Sequence, residues 1–277
     1  MKSVVEIKGG FGNQIFQYAY ARHLKNKGHK VKINFQNHLN QRQMLNYKIF
    51  GFPKASKILV LIVRLLYRLS ESNKTKYFSN LLFKKLFSKF SKLEDFKIIN
   101  AKPLNHFDGY WQSVEILEEQ KDYIVESLMR IDSFKNFMDQ PIEKGSTLIH
   151  VRRGDYKTVD EELKVEFYEE ALNFCRANID NFTFEVFTDD VNWVNQQKVF
   201  DKAKNINGET ETFDDLLADI FKMFSFENYV VGNSSFSLVP AVLSEGANSK
   251  ILVADPWFRN SKRDLKIKDS WTKIINK

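Results

Sequence analysis

The chain has 277 residues but a single cysteine, Cys175, so an intrachain disulfide is excluded and a reducing, cytoplasmic setting is expected. Five prolines are too few for a Pro-rich linker or tail. Long apolar runs are missing as well. The longest is ILVLIV at 58–63, far short of the roughly 18–20 residues that a membrane span requires. The opening MKSVVEIKGG meets charge and glycine before an apolar core can build, so no signal peptide is expected. There is no Asp-x-Asp, the carboxylate pair that commonly holds a metal against a sugar nucleotide. The five histidines show no ligand spacing, and one cysteine cannot build a zinc site, so no metal is expected. Neither G-x-x-x-x-G-K-[ST] nor G-x-S-x-G occurs.

Positive charge is abundant but local. Between Lys54 and Lys92, ten cations face one acid, Glu71, a net of +9 that leaves the rest of the chain at −2 against an overall +7. A nucleic-acid protein would spread its basicity along a face with stacking aromatics, and none is expected as a partner here. A basic segment with Phe83, Leu86, Phe87 and Phe90 beside Lys84, Lys85, Lys89 and Lys92 suits an anionic membrane surface. The alternative is a helical hairpin whose aromatics pack on its own domain.

The hydrophobic pattern alternates between strand and helix. SVVEIK (3–8), a glycine turn, a helical stretch ending before Gly28, and VKINF (31–35) open a βαβ unit. A helix follows GYWQS (109–113) and runs to about Arg130. QPIEKGS (140–146) is the candidate boundary, which gives an N-terminal domain over 1–142, with a basic helical insertion at about 54–92, and a C-terminal domain over 143–277. The second half reads as strand 147–153, helix 164–178, strand 182–190, helix 213–226, strand 228–232, helix 235–245, strand 251–258 and an exposed terminal helix over 264–277. The expected class is α/β, with two Rossmann-like halves facing across a cleft.

Three places concentrate chemistry. TLIHVRRGDYK (147–157) puts His150 and Arg152 on one face of a strand and Arg153 on the other, with Gly154 to turn the chain. Arginines beside an apolar strand need partners, and a guanidinium suits phosphate. Arg152 is the ligand candidate, whereas Arg153 is expected to pair with a helix carboxylate. GGFGNQ (9–14) lies between strand and helix, where free amides attract phosphate or a sugar hydroxyl; ordinary turn formation is the plainer reading. GNSSFS (232–237) repeats that arrangement, and its Asn and Ser side chains equally suit plain helix capping. Asp219 precedes the last of these, and its carboxylate could accept two parallel hydrogen bonds from guanine.

In order along the chain, GGFGNQIFQYAYARHL (9–24), GYWQS (109–113), HVRRGDY (150–156), FTDD (187–190) and Asp219 through VVGNSSFS (230–237) resemble the α-1,2-fucosyltransferases of glycosyltransferase family 11. The arginine motif and the Asp-to-Ser-Ser spacing are similar to those of α-1,6- and protein O-fucosyltransferases, which use GDP-fucose. The resemblance implies a GT-B-like fold and an inverting, metal-independent transfer from GDP-fucose with no cofactor. It places Arg152 on the donor β-phosphate, Asp219 on guanine and Asn233, Ser234, Ser235 and Phe236 around the pyrophosphate turn. His150 and Arg153 flank that site, and Gly10, Phe11 and Gly12 form a loop that sets Asn13 near the transferred fucose. Asp155 is a candidate base, or else a partner for an arginine. One departure is that SFSLVPAVL carries Leu238, Val239 and Pro240 where relatives commonly have a Trp-Trp pair, which bears on the acceptor.

The implied acceptor is the 2-hydroxyl of a terminal β-galactose on a glycan, lipid-linked in the setting of bacterial O-antigen or surface-polysaccharide synthesis at the inner face of the cell membrane. Two rivals stand beside it. One is a fucosyltransferase acting on a protein hydroxyl or N-acetylglucosamine, and the other is a non-catalytic, membrane-peripheral nucleotide-binding module.

Overall fold

The computed structural model describes residues 1–35, 45–71, 90–93, 103–208, 212–260 and 265–276. They form two compact α/β units. One comprises Met1–Gln112 with Asp122–Ile124, and the other Ser113–Lys121 with Val125–Lys277. The division falls ahead of the expected 142/143 boundary. Its cause is tertiary: Phe134 packs edge-on against Phe221 and Phe224 at ring-centroid distances of 5.0 Å, which ties its helix to the second unit.

In the first unit, strands β1 (Lys2–Ile7), β2 (Lys30–Phe35), β3 (Phe90–Leu93) and β4 (Leu104–Phe107) form a parallel sheet in the order β2-β1-β4-β3. β1 is central and buried from its second residue onward, as expected for a strand covered on both faces. Helix α1 (Phe11–Asn26) follows the glycine turn. It ends where the His29 amide donates to Leu24 O and the Gly28 amide to Lys25 O, with Gly28 at φ +83. That pair of bonds is a Schellman cap, which needs the left-handed residue that glycine supplies. Helix α2 (Lys57–Glu71) realises the front of the basic segment. Residues 72–89 lie outside the described ones, and with them Phe83, Lys84, Lys85, Leu86, Phe87 and Lys89. Phe90 and Lys92 are in strand β3, not in a helix, so the helical reading of 54–92 is corrected at its end.

In the second unit, β5 (Ser146–Val151), β6 (Thr183–Thr188), β7 (Ile206–Asn207), β8 (Asn228–Gly232), β9 (Ile251–Asp255) and β10 (Thr272–Ile275) form a parallel sheet in the order β10-β9-β8-β5-β6-β7. Counted from β5, this is the doubly wound order 3-2-1-4-5-6 of dinucleotide-binding sheets. Its helices are α3 (Val114–Glu119), α4 (Lys121–Leu128, which straddles the division), α5 (Asp132–Met138), α6 (Val165–Asn178), α7 (Val191–Asn195), α8 (Phe213–Lys222) and α9 (Ser235–Ser244). Ile149, Val151, Val186, Val230 and Leu252 of the sheet pack with Phe167, Leu172 and Cys175 of α6 in one core. The expected terminal helix is a strand: Ile274 is buried and Ile275 is 59% exposed, the alternation of an edge strand beside β9.

Candidate donor site at the strand switch

Strand order reverses between β5 and β8, and ligands of such sheets bind beyond the carboxyl ends at that point. Arg152 follows β5, and the Asn233-Ser234-Ser235 turn follows β8, so the fold brings two of the sequence candidates to one place. The contact is direct. The His150 ring lies 5.5 Å from that of Phe236, and His150 Nδ1 is 3.0 Å from Ser237 Oγ. Ser234 is the N-cap of α9, its Oγ accepting the Phe236 amide at 3.3 Å. The plain capping role is therefore real, and it places the helix N-terminus after β8, at the switch.

The loop after β5 is held by a carboxylate that the sequence reading assigned no role. Asp189, at the end of β6, accepts the amides of Arg153 (2.8 Å) and Gly154 (3.0 Å) and pairs with Arg152 Nη1 at 3.0 Å. Arg152 Nε donates to Asp155 at 2.9 Å, so Asp155 is an arginine partner in this structure. Burial works against the Arg152 charge, but Asp189 and Asp155 outweigh it and raise its pKa. Its side chain remains 37% exposed, which leaves it accessible to an anion. Gly154 turns the chain at φ −41, outside the left-handed region. A Cβ there would stand 2.9 Å from Asp189 Oδ2, so close approach is what requires glycine.

Other candidates are committed to the scaffold. Arg153 donates to Asp190 at 3.2 Å and its guanidinium lies 4.1 Å from the centroid of the Trp193 ring; Asp190 caps α7 by accepting the Trp193 amide. The helix-carboxylate partner expected for Arg153 is therefore present. His150 is buried, and burial with Arg152 nearby lowers its pKa to about 3, so it is a neutral core histidine rather than a ligand side chain. Asn233 is buried too, donating to Glu161 O at 2.7 Å while its own carbonyl accepts the Tyr156 hydroxyl at 3.1 Å. Glu161 in turn accepts the amides of Arg259 and Asn260. Tyr156 and Glu161 thus brace the arginine loop; Tyr156 closes the HVRRGDY motif without a role assigned to it, and short-range sequence pattern carried no signal for Glu161. Asp219 sits in α8, half-buried, its pKa raised by desolvation, with Lys222 and Asp215 of the same helix as its charged neighbours. Among the described residues no contact links it to Arg152 or to the Ser234 turn.

In the first unit the glycine loop and GYWQS interlock. Gln112 donates to Asn13 Oδ1 at 2.8 Å across 99 positions, and Gln17 joins the Lys8 amide to the Gly109 carbonyl. Trp111 stacks on Tyr20 at 4.3 Å and holds φ +54, an uncommon angle for a bulky residue. Phe11 and Gly12 are buried, so the Phe11 side chain serves the core and not a ligand. Gly10 alone of that trio is open, with no atom within 4 Å of a Cβ placed there.

The model of glycosyl transferase family 11 matches residues 3–274. The chain belongs to glycosyl transferase family 11. Among family relatives, the α-1,2-colitosyltransferase of Escherichia coli is 28% identical over 281 residues, covering 92% of each chain. The Escherichia coli O-antigen biosynthesis glycosyltransferase WbnK is 24% identical over 308 residues, covering 97% of this chain and 99% of that protein. The solved structure of NodZ α-1,6-fucosyltransferase, soaked with GDP-fucose, superimposes with a TM-score of 0.50 at 12% identity over 87% of this chain and 92% of that one, a likeness of fold. This family 11 glycosyltransferase accordingly has the GT-B class of architecture expected of it, with a parallel sheet in each unit.

Proposed function

We propose that the protein transfers L-fucose from GDP-β-L-fucose to the 2-hydroxyl of a terminal β-galactose, with inversion and without a metal, during assembly of a bacterial surface polysaccharide. The observation that carries this reading is the half-exposed Arg152 guanidinium at the carboxyl end of β5, beside the N-terminus of α9, where strand order reverses. The acceptor hydroxyl attacks the anomeric carbon from the face opposite GDP. The carbon–oxygen bond to the diphosphate breaks, the proton of the attacking hydroxyl passes to solvent, and the electron pair of the broken bond goes to GDP. Arg152 and the amides that open α9 offset the charge gathering there, a contribution of about 3–4 kcal/mol if it matches one oxyanion donor. The two acids that follow β6 already face cations: Asp189 binds Arg152, and Asp190 binds Arg153 and Lys157. That supports charge compensation by arginine.

A second donor is favoured by the 28% identical colitosyltransferase. Colitose is fucose lacking one hydroxyl, so a donor site of the same shape would admit it. Chelator-treated protein incubated with GDP-fucose or GDP-colitose and a panel of β-galactosides, followed by linkage analysis, separates the readings. An α-1,2-fucosylated galactoside supports the first and an α-1,2-colitosylated one the second. Product formed only on N-acetylglucosamine or peptide acceptors, or only after divalent metal is restored, overturns the proposal.

A further inference from the structure

Helix α2 is apolar on two opposite faces. Val63 is buried, and Leu59 and Val60 pack with it against Val4, Ala55 and Leu104 of the first unit. Across the helix Ile58, Leu61, Ile62 and Leu65 are 73%, 68%, 44% and 54% exposed. Their spacing of i, i+3, i+4 and i+7 lines them along one stripe, and a contiguous exposed apolar stripe marks an interaction surface. At the N-terminal end of the same helix lies a cavity of about 300 Å³ lined by Asn34, Phe35, Lys54, Lys57 and Leu61 among others. The Lys54 ammonium is 5.4 Å from the centroid of the Phe35 ring. The first turn of α2 holds no acid, so its amides and two lysines present positive charge together. Leu61 belongs both to the cavity and to the stripe.

We propose that this face of α2 docks on an anionic phospholipid membrane, the stripe entering the boundary of headgroups and acyl chains while Lys54 and Lys57 take a lipid phosphate. Charge selects this occupant. From Lys54 to the end of α2 the sequence carries Lys54, Lys57, Arg64 and Arg68 against Glu71, a net +3, so a second copy of the chain would bring like charge against like, whereas an anionic leaflet complements it. Geometry sets the depth: no described helix is long and apolar enough to cross a membrane, and α2 has one stripe outward and one inward, so it lies in the plane of the surface. The residues are not those of the lysine and phenylalanine cluster expected at 83–92, and nothing in the proposal depends on the donor or acceptor sugar.

The test is co-sedimentation of the full chain with phosphatidylcholine vesicles, with and without phosphatidylglycerol. The wild type should pellet with the phosphatidylglycerol vesicles alone and be released when salt rises to about 1 M, where the screening length falls to about 3 Å. Lys54→Ala/Lys57→Ala should bind about 30-fold more weakly, at roughly fivefold for each cation near the surface. Ile58→Ser/Leu61→Ser/Leu65→Ser should lose at least about tenfold for each residue, with an unchanged circular dichroism spectrum because all three side chains lie outside the core. Equal pelleting with both kinds of vesicle, no pelleting with either, or wild-type binding by the triple-serine variant would each overturn the proposal. So would light scattering that showed a dimer broken by Leu61→Ser, which would assign the stripe to a second copy.

Discussion

Asp189 stands 3.0 Å from the guanidinium of Arg152 while its two carboxylate oxygens also accept the amides of Arg153 and Gly154. One side chain therefore fixes both the loop after β5 and the cation at its tip. Asp189→Ala removes the acceptor of two amides, the part-buried one of Arg153 at a cost of about 1–3 kcal/mol and the exposed one of Gly154 at less because water can replace the carboxylate, and frees the arginine to wander. A lowered melting midpoint together with a raised KM for the donor is expected. Unaltered values for both would show that Asp189 does not organise this loop.

Gly154→Ala tests the same contact from the other side. Its Cβ would meet Asp189 Oδ2 at 2.9 Å, so the carboxylate must move. The cost is that of weakening the Asp189 hydrogen bonds to the loop, about 0.5–1.5 kcal/mol for each. Steady-state kinetics should show a loss in kcat/KM that resembles Asp189→Ala, and a double variant should be less than additive because both changes act through one contact.

The two neighbouring glycines of the first unit should behave differently. Gly9 sits at φ +78, and a Cβ there would be 2.8 Å from Asn13 Nδ2, so Gly9→Ala should lower stability by at least about 1–2 kcal/mol. Gly10 has φ −69 and open space around it, so Gly10→Ala should leave the melting midpoint unchanged. A fall in transfer rate with Gly10→Ala at constant stability would identify the exposed backbone of this loop as a substrate contact.

Much of this architecture is visible in sequence pattern, and the reasons for the failures are physical. β1, β5 and β8 carry short, mainly apolar runs and α1 a helical period ended by Gly28, all short-range signals. The 264–277 segment misled because Trp271, Ile274 and Ile275 satisfy a helical spacing as well as a strand one over so few residues, and pairing with β9 decides it. The unit boundary depends on where Phe134 packs, which is tertiary information. At the site, Arg152 and the Ser234 turn were legible because topology carries strand ends to the switch. The engagement of Asp189 was not, because its partners lie 35–37 positions away in the loop after another strand.

Acid sensitivity should originate in part from His150. Burial lowers its pKa from 6.5 to about 3, so between those values the unfolded chain binds a proton that the folded chain refuses. Its contribution to stability is complete above pH 6.5 and is lost as pH falls toward 3, by about 2 kcal/mol between pH 6.5 and 5. Urea unfolding of wild type and His150→Phe across this range should give a shallower slope for the variant. Parallel slopes would mean that the imidazole is protonated in the fold.

Asp219 is the candidate for base recognition. Desolvation raises its pKa, as expected of a carboxylate partly removed from water. If it accepts the guanine edge, Asp219→Asn should weaken GDP binding by about 1.5–3 kcal/mol, the range for a hydrogen bond to a charged group, and leave ADP binding as it was. Calorimetry showing equal loss for both nucleotides would remove guanine recognition from this residue.

The central claim is that the positive charge of Arg152 acts on the departing diphosphate, and kcat for donor cleavage and transfer in the presence of a chelator measures it most directly. Arg152→Ala should reduce kcat by about 10²–10³, with a smaller change in the donor KM, and Arg152→Lys should recover part of the loss. A kcat for Arg152→Ala equal to that of the wild type, or a wild-type enzyme inactive until metal is added, would contradict the account.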